Sequence, residues 1–77
     1  MSTVQRNVIR IIRNKGLLKK GVAKRAGMTS QAFSDLIAGR KVIRADMVPA
    51  LANALEVGVM ELFREEADND HERDAEG

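Results

Sequence analysis

Apolar residues recur along this chain at the spacing of helices. Val4, Val8, Ile11 and Ile12 fall on one face of the first stretch, with Arg6, Arg10 and Arg13 opposite. That pattern predicts a helix from about Thr3 to Asn14, with Thr3 as N-cap and Gly16 at its C-terminal stop. A second helix is expected over about Leu18–Ala26. Gly27 follows it, where a left-handed residue turns the chain without a Cβ clash. A third covers about Ser30–Ala38, capped by Thr29 and stopped by Gly39. The fourth covers about Ala45–Leu55, with Asp46 as a cap and Pro49 tolerable only near the first turn. The fifth covers about Val59–Glu65, after Gly58, with Glu61 suited to the positive helix start. From Ala67 on, the sequence is polar and acidic and reads as a frayed or disordered tail. The expected organisation is an all-α body over residues 1–66 and an acidic tail over 67–77.

The segment Lys19–Ala38, KKGVAKRAGMTSQAFSDLIA, carries most of the information. Ala23 is small where a larger side chain would hold two helices apart, and Gly27 permits the turn. Val22, Ala26, Met28, Phe33 and Leu36 supply the apolar positions that bury against the other helices. Two helices crossing sharply through a short turn make a helix-turn-helix, which places its second helix in the DNA major groove. The plainer alternative is an ordinary helical hairpin.

Size and composition narrow the class. Seventy-seven residues allow one domain with a marginally adequate core. With no cysteine, no disulfide or thiolate metal site supports it. Two Phe and no Trp or Tyr leave Leu, Ile, Val, Ala and Met to fill the interior. No apolar run approaches the roughly 20 residues of a membrane span, and MSTVQRNVIR lacks a signal-peptide core. A reduced, soluble, cytoplasmic protein is the expectation.

The net charge of +2 hides an asymmetry. Residues 1–64 carry +8, and residues 65–77, EEADNDHERDAEG, carry −6. A basic body suggests a polyanion partner. No enzyme chemistry is visible: there is no nucleophile–base pair, Gly-rich phosphate loop or metal-ligand spacing, and the single histidine, His71, lies in the tail. No cofactor, metal or small-molecule ligand is expected.

The run GLLKKGVAKRAGMTSQAFSDLIAGRK, followed by VPALANALEVGVMELF, resembles the phage-repressor family, the Cro-like or xenobiotic-response-element type of helix-turn-helix. The resemblance spans about residues 4–64. It implies a compact five-helix lambda-repressor-like fold that binds operator DNA, usually as a symmetric homodimer. The family's base-reading positions fall on Ser30, Gln31 and Asp35. Gln31 can bond an adenine edge in bidentate fashion, Ser30 can donate or accept, and Asp35 can accept from cytosine N4. Ala32 leaves room to touch a thymine methyl, and Ser34 can face a phosphate or a base. Asp35 has a competing assignment as the ion-pair partner of Arg40 or Lys41.

Affinity would come chiefly from phosphate contacts. Lys19 stands where the family typically has a phosphate-contacting Gln, with Lys20 beside it. Arg40, Lys41 and Arg44 follow the third helix, and Thr29 stands at its start. Lys24, Arg25 and the arginines of the first helix are weaker candidates.

Three positions depart from the family pattern. Ile12 and Ile37 stand where members often pair a buried Arg with a Glu, so the two are expected to be buried near each other. Gly21 lies inside the second helix, where glycine costs about 1 kcal/mol relative to alanine. Either that helix begins late or a close contact needs the missing side chain. Glu56 replaces the Gly that usually ends the fourth helix, which leaves the following turn open.

The acidic tail reads as a solubilising end or as a competitor that folds back on the basic surface. The dimer surface is expected around Val57, Val59 and the outer side of the fifth helix. The alternative function is a protein-interaction module, antitoxin-like or accessory, on the same fold.

Overall fold

Ser2, not Thr3, caps the first helix, α1 (Thr3–Lys15). The Ser2 hydroxyl accepts the Gln5 N–H at 3.1 Å, satisfying a donor that has no partner within the helix. In this computed structural model, which describes residues 2–65, the chain is helical throughout its regular elements. Four α-helices and two short 3-10 turns are present among the described residues, with no strand.

α1 ends at Gly16, whose φ of +67° is the left-handed geometry expected there. The second helix, α2 (Lys19–Arg25), is shorter than the sequence suggested. After it the Met28 N–H reaches back to the Ala23 carbonyl at 2.9 Å, and Gly27 adopts φ +76°. The third, α3 (Ser30–Ile37), begins as expected: the Thr29 hydroxyl accepts the Ala32 N–H at 3.0 Å. Gly39, just beyond its end, has φ +85°.

The expected fourth helix is divided. Ala45–Met47 form a 3-10 turn and α4 covers Val48–Leu55. Pro49 is the cause. It has no N–H to bond the carbonyl of Ala45, and its ring would crowd that carbonyl in a continuous α-helix. Near the start of α4 the missing N–H costs nothing. Asp46 does not cap; it bonds the Arg44 guanidinium at 3.3–3.4 Å instead. The expected fifth helix is a 3-10 turn, Val59–Phe63, and Arg64 is already extended. The buried Asn7 side chain accounts for that early stop by taking the carbonyls of Leu62 and Arg64 at 2.8 and 2.7 Å.

Glu56 ends α4 in the left-handed region, φ +61°. The turn after α4 is therefore made by a non-glycine residue, at a cost of about 1–2 kcal/mol. Two cations satisfy the carbonyls there. Lys15 Nζ donates to Leu55 and Glu56 at 2.8 and 3.2 Å, and Arg25 donates to Ala54 at 3.2 Å.

The core gathers Val8, Ile11 and Ile12 of α1 with Val22 and Ala23, Phe33 and Leu36, Leu51 and Leu55, and Leu62. α1 packs on both α3 and the closing 3-10 turn, while α2 packs on α3 and α4. Ile12 is buried and Ile37 is half-buried against the same core, and both line one groove. Gly21 meets nothing within 4 Å at its missing Cβ, so no close contact inside the chain requires it. No helix among the described residues is long and apolar enough to cross a membrane.

Candidate nucleic-acid interface

α3 has a buried side and an open side. Phe33 and Leu36 face the core, each 1 % exposed. Ser30 and Gln31 are exposed, and Ala32, Ser34 and Asp35 are half-exposed. The helical period explains the division, since residues 30, 31, 34 and 35 cluster one turn apart on the face opposite 33 and 36. All five residues expected to read bases therefore retain solvent access on one short helix.

That face is organised by Asp35. Its Oδ1 accepts from Gln31 Nε2 at 3.0 Å, one turn back, and from Arg40 Nε at 2.9 Å. The Arg40 and Lys41 N–H groups also bond the Asp35 carbonyl, at 2.9 and 3.3 Å. The chain after α3 thus folds back against the helix, and Gly39 makes that reversal possible. The Arg40 hydrogen bond is the main force holding the Asp35 carboxyl below its ordinary pKa, with Gln31, the Arg40 charge and Lys41 adding to it against some desolvation. The Asp35 side chain is 19 % exposed and that of Arg40 61 %.

Cations border α3 on several sides. Lys20 and Lys24 share a shallow concavity with Gly21, Thr29 and Ser30 at the α3 start. Lys19 and Arg13 line the groove between α1 and α3, beside Ser34 and Ile37. Arg40 and Lys41 lie beyond the α3 end, both exposed. Arg44 is exposed too, but shares its charge with Asp46. Arg25 is drawn elsewhere, to Ala54 and Glu56. Of the expected phosphate-contact set, Lys19, Lys20, Thr29, Arg40 and Lys41 lie around α3, and Arg44 lies further along the chain with its charge shared with Asp46. Arg13 and Lys24 join it through proximity that the linear pattern underrates.

Two supporting residues escaped the sequence reading. Gln5 is 7 % exposed and donates through Nε2 to the carbonyls of Leu36 and Ile37, both at 3.1 Å. Asn7 is 2 % exposed, pins the closing turn, and accepts from Arg10 Nη2 at 2.9 Å. Buried amides that donate to two carbonyls each rigidify what they connect. Their only sequence signal is polarity near the apolar stripe of α1, which a surface residue shows equally.

Among the described residues, no group of three His, Cys, Asp or Glu side chains is placed to hold a metal ion. His71 and the acidic residues 67–77 lie outside the described residues. No protein-family model matches the chain, and no curated protein matches it significantly.

Proposed function

We propose that this chain is a sequence-specific DNA-binding regulator of the phage-repressor type, with α2 and α3 as its helix-turn-helix. α3 enters the major groove of an operator half-site. The observation that carries this reading is the polar outer face of α3, Ser30–Gln31–Ser34–Asp35, bordered by Lys19, Lys20, Lys24, Arg40 and Lys41. Base edges are read by donors and acceptors on a helix, and phosphates by flanking cations. The role is binding without catalysis, and it implies a cytoplasmic location.

The protein would act as a homodimer across two half-sites about one helical turn apart. Val57 is half-buried against the core, so less of it is open for that contact. Val59, Met60 and Phe63 are 40 %, 75 % and 49 % exposed on the closing turn and form the candidate surface. The same patch favours the second reading, a module whose main partner is another protein.

Selection from a random duplex DNA pool tests the proposal. Enrichment of a two-fold symmetric site is expected. Binding should weaken with salt at a log–log slope of about −0.9 per phosphate neutralised. Failure to enrich any sequence, or enrichment unaffected by Gln31→Ala and by loss of Arg40 and Lys41, favours the protein partner.

A further inference from the structure

The Asp35 carboxylate stands in the middle of the outer face of α3, where a negative charge would oppose an approaching phosphate backbone. Its charge is nonetheless met within the chain by the Arg40 guanidinium at 2.9 Å, and the side chain is only 19 % exposed. One oxygen, Oδ1, already takes two hydrogen bonds, from Gln31 Nε2 and Arg40 Nε. Only the NH₂ end of an amide can donate to a carboxylate, so the Gln31 side chain has a defined orientation. Its Oε1 and its second amide hydrogen remain, which together are the pair that adenine N6 and N7 require. Arg40 spends its Nε hydrogen on Asp35 and keeps both Nη groups, the fork that guanine O6 and N7 accept. Its backbone is fixed as well, because its N–H bonds the Asp35 carbonyl. Two flexible side chains, four residues before Asp35 and five after it, are thereby held to one carboxylate oxygen.

We propose that Asp35 reads no base itself and instead positions Gln31 and Arg40 as a coupled reader of two purines, adenine by Gln31 and guanine by Arg40. This rests on the DNA-binding reading above and deepens it: it names the bases and replaces the direct Asp35–cytosine contact with an indirect role. Holding the two side chains beforehand removes part of the ordering cost that each would otherwise meet on binding. The ion pair also cancels the negative charge that phosphates would meet. Arg40 thereby passes from the phosphate-contact set to the base-reading set.

The test is selection of duplex DNA by the wild-type chain and by Gln31→Ala, Arg40→Ala, Asp35→Ala and Asp35→Asn, with thermal melts confirming that each variant folds. The wild-type site should contain one position relaxed by Gln31→Ala and another relaxed by Arg40→Ala, an A·T and a G·C pair. Asp35→Ala should relax both together, losing about tenfold or more in affinity for the selected site. Its affinity for unrelated DNA should be unchanged or higher. Asp35→Asn keeps an acceptor oxygen of the same shape and should restore part of both preferences.

The idea is overturned if Asp35→Ala leaves both positions intact, or relaxes only a position that neither other variant touches. It is also overturned if Arg40→Ala weakens all sequences equally and lowers the salt slope by about one phosphate. A wild-type chain that enriches no sequence at all overturns the DNA-binding reading itself, an outcome distinct from these.

Discussion

Gln5, near the start of α1, closes the far end of α3 by donating to the Leu36 and Ile37 carbonyls, both at 3.1 Å. Those carbonyls belong to the last turn; that of Leu36 also takes the Gly39 N–H at 3.2 Å, so Gln5 matters most to that of Ile37. Gln5→Ala should remove both bonds, leaving the Leu36 carbonyl with its Gly39 partner and the part-buried Ile37 carbonyl without the amide donor. The expected loss is about 1–3 kcal/mol, measured by urea denaturation. Faster amide exchange at Arg40 and Lys41 should accompany it, because their N–H groups bond the adjoining Asp35 carbonyl.

Glu56 holds a backbone conformation better suited to glycine, at φ +61°. Its ion pair with Arg25, 3.4 Å and largely exposed, offsets little of that cost. Glu56→Gly should therefore stabilise the fold despite glycine's looser unfolded state, by about 0.5–1 kcal/mol. A fall in melting temperature on this substitution would show that the Glu56 side chain matters more than its backbone strain.

Gly21 lies in the first turn of α2 with open space where a Cβ would be. Gly21→Ala should raise stability by about 0.5–1 kcal/mol through helix propensity and a less disordered unfolded chain. Thermal unfolding checks this. If DNA affinity falls while stability rises, the bare backbone at Gly21 is an approach surface for the phosphates.

Arg40 lowers the Asp35 pKa, so the folded state binds a proton there less readily than the unfolded chain does. The stabilisation is fully present above the ordinary carboxylate pKa and is lost as pH falls through the lowered folded value. In an NMR titration of the side-chain carboxyl, Arg40→Ala should move the Asp35 midpoint upward. The stability difference between wild type and Asp35→Asn should shrink on acidification. An unmoved midpoint would mean that the pair does not persist in solution.

Phe63 is half exposed on the closing turn and is not needed for the core. Phe63→Asp should leave the melting temperature of the monomer within roughly 0.5 kcal/mol equivalent of wild type, as surface changes usually do. In sedimentation it should shift a dimer to monomer. An unchanged mass would move the self-association surface elsewhere.

The helices with strong caps were legible from the chain alone. Thr29 and Gly39 bracket α3, and Gly16 and Gly27 end the two helices before it, because small polar caps and left-handed glycines act locally. The second half was harder. Pro49 divided the fourth helix, and the fifth shrank to a 3-10 turn held by Asn7, a residue more than fifty positions away. Distant side-chain bonds leave no periodic trace. The same holds for the candidate interface. Periodicity places Gln31 and Asp35 on one face, the sequence offers Arg40 or Lys41 as the ion-pair partner of Asp35, and the structure selects Arg40. It equally adds Arg13, separated from Ser34 by twenty residues of chain but lining the same groove.

The two buried amides of α1 have a mechanical consequence. Gln5 grips the end of α3, and Asn7 grips the end of the turn that carries Val59, Met60 and Phe63. One rigid helix thus acts as a ruler between the open face of α3 and the apolar patch. In a dimer joined at that patch, the separation of the two α3 helices would be built into α1 rather than left to loops. Operators with a single base pair inserted between half-sites would then be rejected by length alone, whatever their sequence.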